Sequence, residues 1–559
     1  MSEVNHGEDF IADAEQHNEW WSEDFSPKLD KVTRLTPRSD FYQVLKTIDE
    51  HHKSDAESLV YSIYGQTGIG KTTVLYQLIA ALLETTSFPE RSTDIDIVSS
   101  VSPRQILYIP LEDSLYHLER PGDGIQRLTQ VIDYFQSRIA PREERKYVLF
   151  DDINTLELDD EAKSTLIEAL DSETYAFLTG VVPQPLKLND VHNAEEISKF
   201  EGPTPLLPMK FIDTLETQGV RNSEVESELA KKLEGFQSKD LSGPSPIKIV
   251  REGLKPVEPE VTIDDAVNSL NELYFEHLDT AERDDLNAAA RDYLRKGGVL
   301  HQSGKPSIRN ELTKSHFLLF LYKELAKYGS VQKPENLHRI SSIAASRAGE
   351  ELRYTDISDQ IGVDRRTIDE YLDVLDDGIA VSESHDYSLR RYRRTRLYLR
   401  NPRHLVLLSQ RQEHYGFEND EQQNTLNHEF EYKLARTVAF DHAKRLAYYT
   451  RTYDVEYTET SSGLIDYILQ RDGTVLPFVL SFHPYTEDIA QIATSFDPDT
   501  GQHTKNGTEE LENIEYDAPY RFIITDSLPT HITESNNLVT EKNGVKMCYL
   551  PYWLFLLIC

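Results

Sequence analysis

The sequence predicts an α/β protein built on a parallel β-sheet, followed by helical and mixed α/β modules. Three observations carry this. From about residue 36, β-prone apolar runs alternate with amphipathic helical runs, the pattern of strand–helix–strand crossovers. The first strand runs straight into a glycine-rich loop, Gly65–Thr72. A later strand ends in two adjacent carboxylates, Asp151 and Asp152.

Residues 1 to about 34 are acidic and aperiodic apart from Trp20 and Trp21, and read as a tail or as an arm docked on the core. Leu59–Tyr64 (LVYSIY) is apolar and β-prone. Lys71–Glu84 is helical, with Leu75, Leu78, Ile79 and Leu82 on one stripe. A polar loop, Ser92–Ser102, leads to a second strand at Ile106–Ile109, and a helix follows over Ile125–Ile139. The third and fourth strands are Tyr147–Phe150 and Tyr175–Thr179. Pro and Gly punctuate a looser stretch at 216–260, and 261–330 reads as all-helical. A small helical unit and an Arg-rich strand occupy 331–404, and the pattern from about 426 is mixed α/β.

The chain has 559 residues and a formal charge of −37. Its length fits roughly two to four domains. Tyr (30) and Phe (21) are plentiful, which excludes a disordered chain. The charge argues against bulk attraction to nucleic acid or to an anionic membrane. Such an acid surplus resembles that of proteins from salt-accumulating halophiles, where a Debye length of about 3 Å or less screens the self-repulsion. Cys548 and Cys559 are too few for a disulfide framework or a four-ligand zinc site, which fits a reducing cytoplasm. The first residues carry no signal-peptide pattern. The apolar run Tyr549–Cys559 is shorter than the ~20 residues a bilayer span takes and predicts a buried strand or helix. The expectation is a cytoplasmic protein without a membrane segment. His51, His52 and His483 show no metal-ligand spacing and are assigned surface or core roles.

Gly65-Gln66-Thr67-Gly68-Ile69-Gly70-Lys71-Thr72 matches G-x-x-x-x-G-K-[ST] between a strand and a helix, the context this phosphate-binding motif needs. Gly65 and Gly70 allow a tight loop whose backbone N–H groups surround phosphate oxygens, and the helix start at Lys71, Thr72 and Thr73 adds partial positive charge. Lys71 is expected at the β- and γ-phosphates and the Thr72 hydroxyl on Mg²⁺, with ATP as the ligand. Asp151, ending its strand, is expected to hold the Mg²⁺ shell. Asp152 is placed to orient or deprotonate the attacking water; otherwise it is a solvated cap. The Thr179 hydroxyl, ending the next strand, faces the γ-phosphate through that water or merely caps the strand.

The order P-loop, strand-Asp-Asp, strand-Thr-Gly resembles that of AAA+ ATPases. The likeness is closer to the predicted archaeal and bacterial AAA+ ATPases that join a winged helix and a C-terminal nuclease-like domain to the ATPase. It runs through Ile106–Asp113, Val148–Ile153, Phe177–Gly180, Leu206–Phe211, Tyr293–Gly298, a helix-turn-helix, Glu431–Ala435, Gly463–Ile468 and Leu550–Leu556. The resemblance implies an acidic arm (1–35), a P-loop core (36–215), a linker and helical lid (216–330), a winged helix (331–404) and a nuclease-like α/β domain (405–559). Three departures matter. The group's Asp-Glu is Asp151-Asp152 here, so the second carboxylate reaches less far and hydrolysis is expected to be slow. The Gly-Arg that often precedes the Pro-x-x-Phe segment is absent at Lys199–Gly202, so no arginine finger is carried over. The last domain resembles a PD-(D/E)xK nuclease fold in Glu431 and Asp466. Its E-x-K falls on Val479-Leu480-Ser481, so a scaffold or partner-binding role is expected there.

Thr355–Gly362 reads as a short helix with Thr355 as N-cap, and Asp364 caps a second helix, Arg365–Asp376. That is a helix-turn-helix, with the second helix in the recognition position. Arg365 and Arg366 begin it, but Asp369, Glu370, Asp373, Asp376 and Asp377 follow and repel phosphate. Arg390, Arg391, Arg393, Arg394 and Arg396, then Arg400 and Arg403, form a basic island where a wing strand belongs. Two readings stand: contact with DNA backbone and bases, or pairing with the protein's own carboxylates and bracing of a domain interface.

Three functions fit. The first is an Mg²⁺-dependent ATPase coupled to the winged-helix and nuclease-like modules. The second is an ATP-gated switch or scaffold with little turnover, acting on a protein partner or in a homo-oligomer. The third is a nucleic-acid processing enzyme.

Overall fold

The structure, a computed structural model, describes residues 14–22, 26–35, 37–54, 58–83, 101–111, 123–142, 144–156, 158–183, 186–188, 200–219, 262–298, 306–329, 331–387, 394–409, 428–450, 454–460, 463–471, 474–482, 518–542 and 544–559. Two units divide the chain, residues 1–207 and 208–559.

The first unit is built on five parallel strands: β1 (Leu59–Tyr64), β2 (Ile106–Pro110), β3 (Lys146–Asp151), β4 (Thr174–Gly180) and β5 (Phe200–Pro205). Their order is β2-β3-β4-β1-β5, a P-loop, AAA+-like arrangement. β1 to β4 are apolar and buried on both faces, as parallel strands covered by crossover helices must be. The helices are α1 (Pro27–Thr33), α2 (Ser39–Lys53), α3 (Lys71–Leu82), α4 (Asp123–Tyr134) and α5 (Asp160–Glu168). α4 continues into a wider turn at Phe135–Ile139, so the single helix predicted there changes pitch. β5 has no counterpart among the strands the sequence predicts. It holds Gly202 and Pro203, which strand patterns exclude, and Pro is tolerated because β5 is an edge strand.

The other edge, β2, is closed by the chain's start. The Asn18 amide donates to Tyr108 O at 2.9 Å and accepts from Tyr108 N–H at 2.7 Å. The Trp20 and Trp21 indoles donate to Ile106 O at 3.3 and 2.8 Å. The described part of the arm therefore docks on the core and satisfies backbone groups that an open edge leaves exposed.

The second unit begins with helices α6 (Phe211–Gly219), α7 (Ile263–Glu272), α8 (Thr280–Lys296) and α9 (Pro306–Leu319). α9 runs on through a wider turn at Phe320–Leu325. Next come α10 (Pro334–Ser346), β6 (Glu351–Arg353), α11 (Tyr354–Ile361), α12 (Arg365–Asp377), β7 (Val381–His385), β8 (Arg394–Leu399) and α13 (Pro402–Leu408). The strands form an antiparallel sheet, β6-β8-β7. Thr355 is not the cap of α11: the helix starts one residue earlier, with Arg353 as N-cap and its N–H on Asp356. Gly362 closes α11 at φ 79°, and the Asp364 side chain accepts from Thr367 N–H at 3.1 Å to open α12.

The rest is a six-stranded mixed sheet, β13-β14-β12-β11-β10-β9. It consists of β9 (Val455–Thr460), β10 (Gly463–Arg471), β11 (Thr474–Ser481), β12 (Arg521–Thr525), β13 (Val539–Lys542) and β14 (Val545–Pro551), packed with the long α14 (His428–Thr450). The apolar C-terminal run is both strand and helix: it ends β14 and forms the buried α15 (Tyr552–Ile558). No described helix is long and apolar enough to cross a membrane.

Candidate functional site

The site lies at the C-terminal ends of three neighbouring strands, where open α/β sheets bind ligands. β1 delivers Gly65, β3 delivers Asp151, and β4 between them delivers Thr179 and Gly180. Gly65 N–H donates to Gly180 O at 3.0 Å, pinning the loop to β4. A side chain at Gly65 has no room, since its Cβ would meet Leu206 O at 2.5 Å. Gly70 sits at φ 107°, in the left-handed region that favours glycine. As N-cap of α3 it offers no side chain to the first N–H groups, so the helix start is open to an anion.

Lys71 is 8% exposed. Its Nζ donates to Gly65 O at 2.8 Å and Gln66 O at 3.2 Å, back onto the loop. Gln66 and Ile69 are buried, Gly68 and Thr72 exposed, and Thr67 and Thr73 half-buried.

Asp151 is the centre of the polar network. Its Oδ2 accepts from the Thr72 hydroxyl at 2.7 Å and the Tyr108 hydroxyl at 2.8 Å, and its Oδ1 from the Thr179 hydroxyl at 2.7 Å. No described cation pairs with it. A carboxylate and a hydroxyl on adjoining elements form the hard oxygen donor set that suits Mg²⁺, so Thr72 and Asp151 fit the expected ion. Burial, then the negative charge of Asp151, raises the Tyr108 pKa far above the ordinary tyrosine value. Tyr108 therefore stays protonated and donates.

Thr179 is fully buried, and its hydroxyl also accepts from Asp152 N–H at 2.9 Å. In that position the Thr179 hydroxyl straps the end of β3 to the end of β4. Asp152 is half-buried and adopts φ 60°, turning the chain sharply after β3.

Two residues that shape the site are not singled out by the sequence. Tyr108 lies on β2, where Pro110 pairs with Asp151 and Tyr108 with Leu149. Strand alternation puts Tyr108 on the same face as Asp151, a signal visible only once the pairing is known. Arg38 is buried before α2. It donates to Ile69 O at 3.2 Å and to Leu207 O, and pairs with Asp40 at 2.6 Å. It ties the loop to the last residues of the first unit.

Of the described arginines of the basic island, Arg396 and Arg400 are buried, Arg403 is half-buried and Arg394 is exposed, as are Arg365 and Arg366 at the start of α12. Arg365 stacks on Tyr354 with 5.2 Å to the ring centre, and Arg366 pairs with Glu370 at 3.3 Å. Arg394 pairs with Glu351 at 2.9 Å. Arg396 is 2% exposed, lies 4.2 Å from the Tyr457 ring centre and pairs with Glu459, so it is not available to a phosphate backbone. Arg400 pairs with buried Asp441, and Arg403 donates to Arg295 O. Arg390, Arg391 and Arg393 lie outside the described residues. In the last sheet, Asp466 lies 3.1 Å from Arg436 Nη2 and accepts from Leu480 N–H at 2.8 Å. Glu431 pairs with Arg291, which also holds Asp526 through both carboxylate oxygens at 2.8 and 2.7 Å.

A domain of unknown function, DUF8612, matches residues 289–406, from within α8 to within α13. No curated protein matches the chain. Among solved structures it is similar to the Aeropyrum pernix ORC1 protein in complex with DNA, at 11% identity over 70% of this chain and 96% of that one, TM-score 0.30. The Aeropyrum pernix ORC2 protein in its ADPNP-ADP complexes is similar at 12% identity over 70% and 96%, TM-score 0.31. A DNA polymerase III gamma subunit-related protein of Thermotoga maritima is similar at 13% identity over 60% and 97%, TM-score 0.23. Overlaps this loose say nothing about what the chain binds.

Proposed function

We propose that the chain is an Mg²⁺-dependent ATPase of AAA+ type whose nucleotide state is coupled to a winged-helix module and a nuclease-like module. One observation carries the reading: Thr72, at the open start of α3, and Asp151, at the end of β3, meet at 2.7 Å beside the Gly65–Thr72 loop. In this reading the loop N–H groups and the start of α3 hold the phosphates. Lys71 leaves the carbonyls of Gly65 and Gln66 for the β- and γ-phosphates. Thr72 and Asp151 hold Mg²⁺, which when bound neutralises charge on the β- and γ-phosphate oxygens. Asp152 orients the attacking water, and Tyr108 and Thr179 fix the Asp151 carboxylate.

The helix–strand–helix–helix–strand–strand order of α10 to β8 supports the winged-helix assignment. The burial and carboxylate partners of Arg396 and Arg400 support a structural role for that part of the basic island. The Arg436 and Arg291 pairings support a scaffold in place of a nuclease centre. The test is phosphate release from ATP by the full chain in multimolar KCl, with and without Mg²⁺. The reading expects Mg²⁺-dependent turnover that Lys71→Ala abolishes. Turnover that survives Lys71→Ala overturns it, and tight binding without turnover replaces it by the switch.

A further inference from the structure

Among the described residues the exposed large apolar side chains are Leu312 (36%), Leu319 (43%) and Tyr322 (42%), all on the helical run of α9 and its continuation. The other face of that run is satisfied: Phe317, Phe320, Leu321 and Leu325 are buried, and Phe317 stacks on His404 with ring centres 4.0 Å apart. The outward leucines are thus not core residues left over. The Tyr322 hydroxyl reaches His338 Nδ1 on α10 at 3.1 Å, which fixes the ring at the edge of the stripe.

The surroundings invert the charge of the molecule. Between residues 306 and 347, seven Lys and Arg accompany three Glu, in a chain at −37. Lys314, Lys323, Lys327, Lys333 and Arg339 of this segment are exposed. We propose that this face docks an acidic amphipathic helix of a protein partner. Leucines exposed seven residues apart match the repeat of a helix laid alongside, and the lysines select acidic flanks. A nucleic-acid backbone uses the lysines but gains nothing from Leu312 and Leu319, so the apolar stripe decides for protein.

The test uses the full chain and two fluorescein-labelled synthetic peptides of identical composition. One is a helix with leucines on one face and glutamates on the other; its scramble destroys the face. Anisotropy in KCl is expected to show binding of the designed helix at least about 10-fold tighter than of the scramble. Leu319→Asp, at an exposed site, removes that preference while the thermal melt is unchanged. Lys323→Glu weakens binding less, and its effect shrinks as KCl rises. Equal or absent binding of the two peptides overturns the proposal. So does displacement of the helix by duplex DNA, or a concentration-dependent dimer that Leu319→Asp dissociates, since a second copy is then the occupant.

Discussion

Asp151 and Asp466 are both buried, at 7% and 2% exposure, and each ends or lines a strand of its own sheet. Their partners are of opposite kinds. Asp151 accepts from the neutral hydroxyls of Thr72, Tyr108 and Thr179. Asp466 faces the guanidinium of Arg436, which itself lies over Tyr432 with 4.6 Å to the ring centre. A hydroxyl can rotate and offer a lone pair to a metal. A guanidinium is a permanent cation and already stands where a metal would. Under the proposed function, burial therefore does not distinguish a metal-holding acid from a structural one, whereas the charge of its partner does.

The sharpest way to break this comparison is to neutralise each acid in turn. Asp151→Asn is expected to lower phosphate release on the order of 100-fold or more, while Asp466→Asn leaves it within about 2-fold, the difference a merely structural acid allows. Loss of turnover in both variants contradicts the contrast.

The second unit relies on buried ion pairs, and the next effect probes that reliance. Burial opposes ionisation of Asp441, but Arg445 and Arg400 outweigh it and hold the carboxyl well below the usual carboxylate range. Asp441→Asn takes the shared carboxylate away from two buried arginines, Arg400 and Arg445, at a cost of about 3–5 kcal/mol, read as a fall in the melting temperature of the second unit. Asp40→Asn in the first unit, where the acid is partly exposed, costs less than about 1 kcal/mol.

Glu383 supplies a pH test. Burial raises its pKa to about 7; the Tyr354 hydroxyl bond lowers it, and Asp376, Asp369 and Asp373 raise it further. A pKa raised in the folded state means that stability is full below the unfolded value near 4.5 and is lost as pH rises through 7. Melts from pH 5 to pH 8 are expected to fall, and Glu383→Gln is expected to flatten part of that slope. An unchanged slope contradicts the assignment.

The smallest effect concerns Tyr108. Tyr108→Phe removes one neutral donor from Asp151, worth about 1 kcal/mol. The Mg²⁺ concentration for half-maximal turnover is expected to shift several-fold, with the rate at saturating Mg²⁺ unchanged.

Much of the first unit is legible in the chain because each element is locally encoded. LVYSIY and YVLFDD are apolar strands with polar ends, and the loop between Gly65 and Lys71 has the glycines its backbone needs. Asp151 follows from the same pattern. What escaped depends on pairing between distant segments. Tyr108 reaches Asp151 only because β2 lies beside β3 in one register. Arg38 meets Ile69 O and Leu207 O across long stretches of chain. β5 escaped because its Gly-Pro sequence is tolerated only at an edge. The basic island reads two ways in sequence for the same reason: the carboxylates that pair with Arg396 and Arg400, Glu459 and Asp441, come from β9 and α14.

Whether Asp151 alone of these two acids serves a nucleotide-bound Mg²⁺ is read from calorimetric titration of the full chain with a non-hydrolysable ATP analogue, with and without Mg²⁺, for wild type, Asp151→Asn and Asp466→Asn. Mg²⁺ is expected to tighten binding to wild type and to Asp466→Asn alike and to have no effect on Asp151→Asn. An equal response to Mg²⁺ in Asp151→Asn and wild type contradicts it.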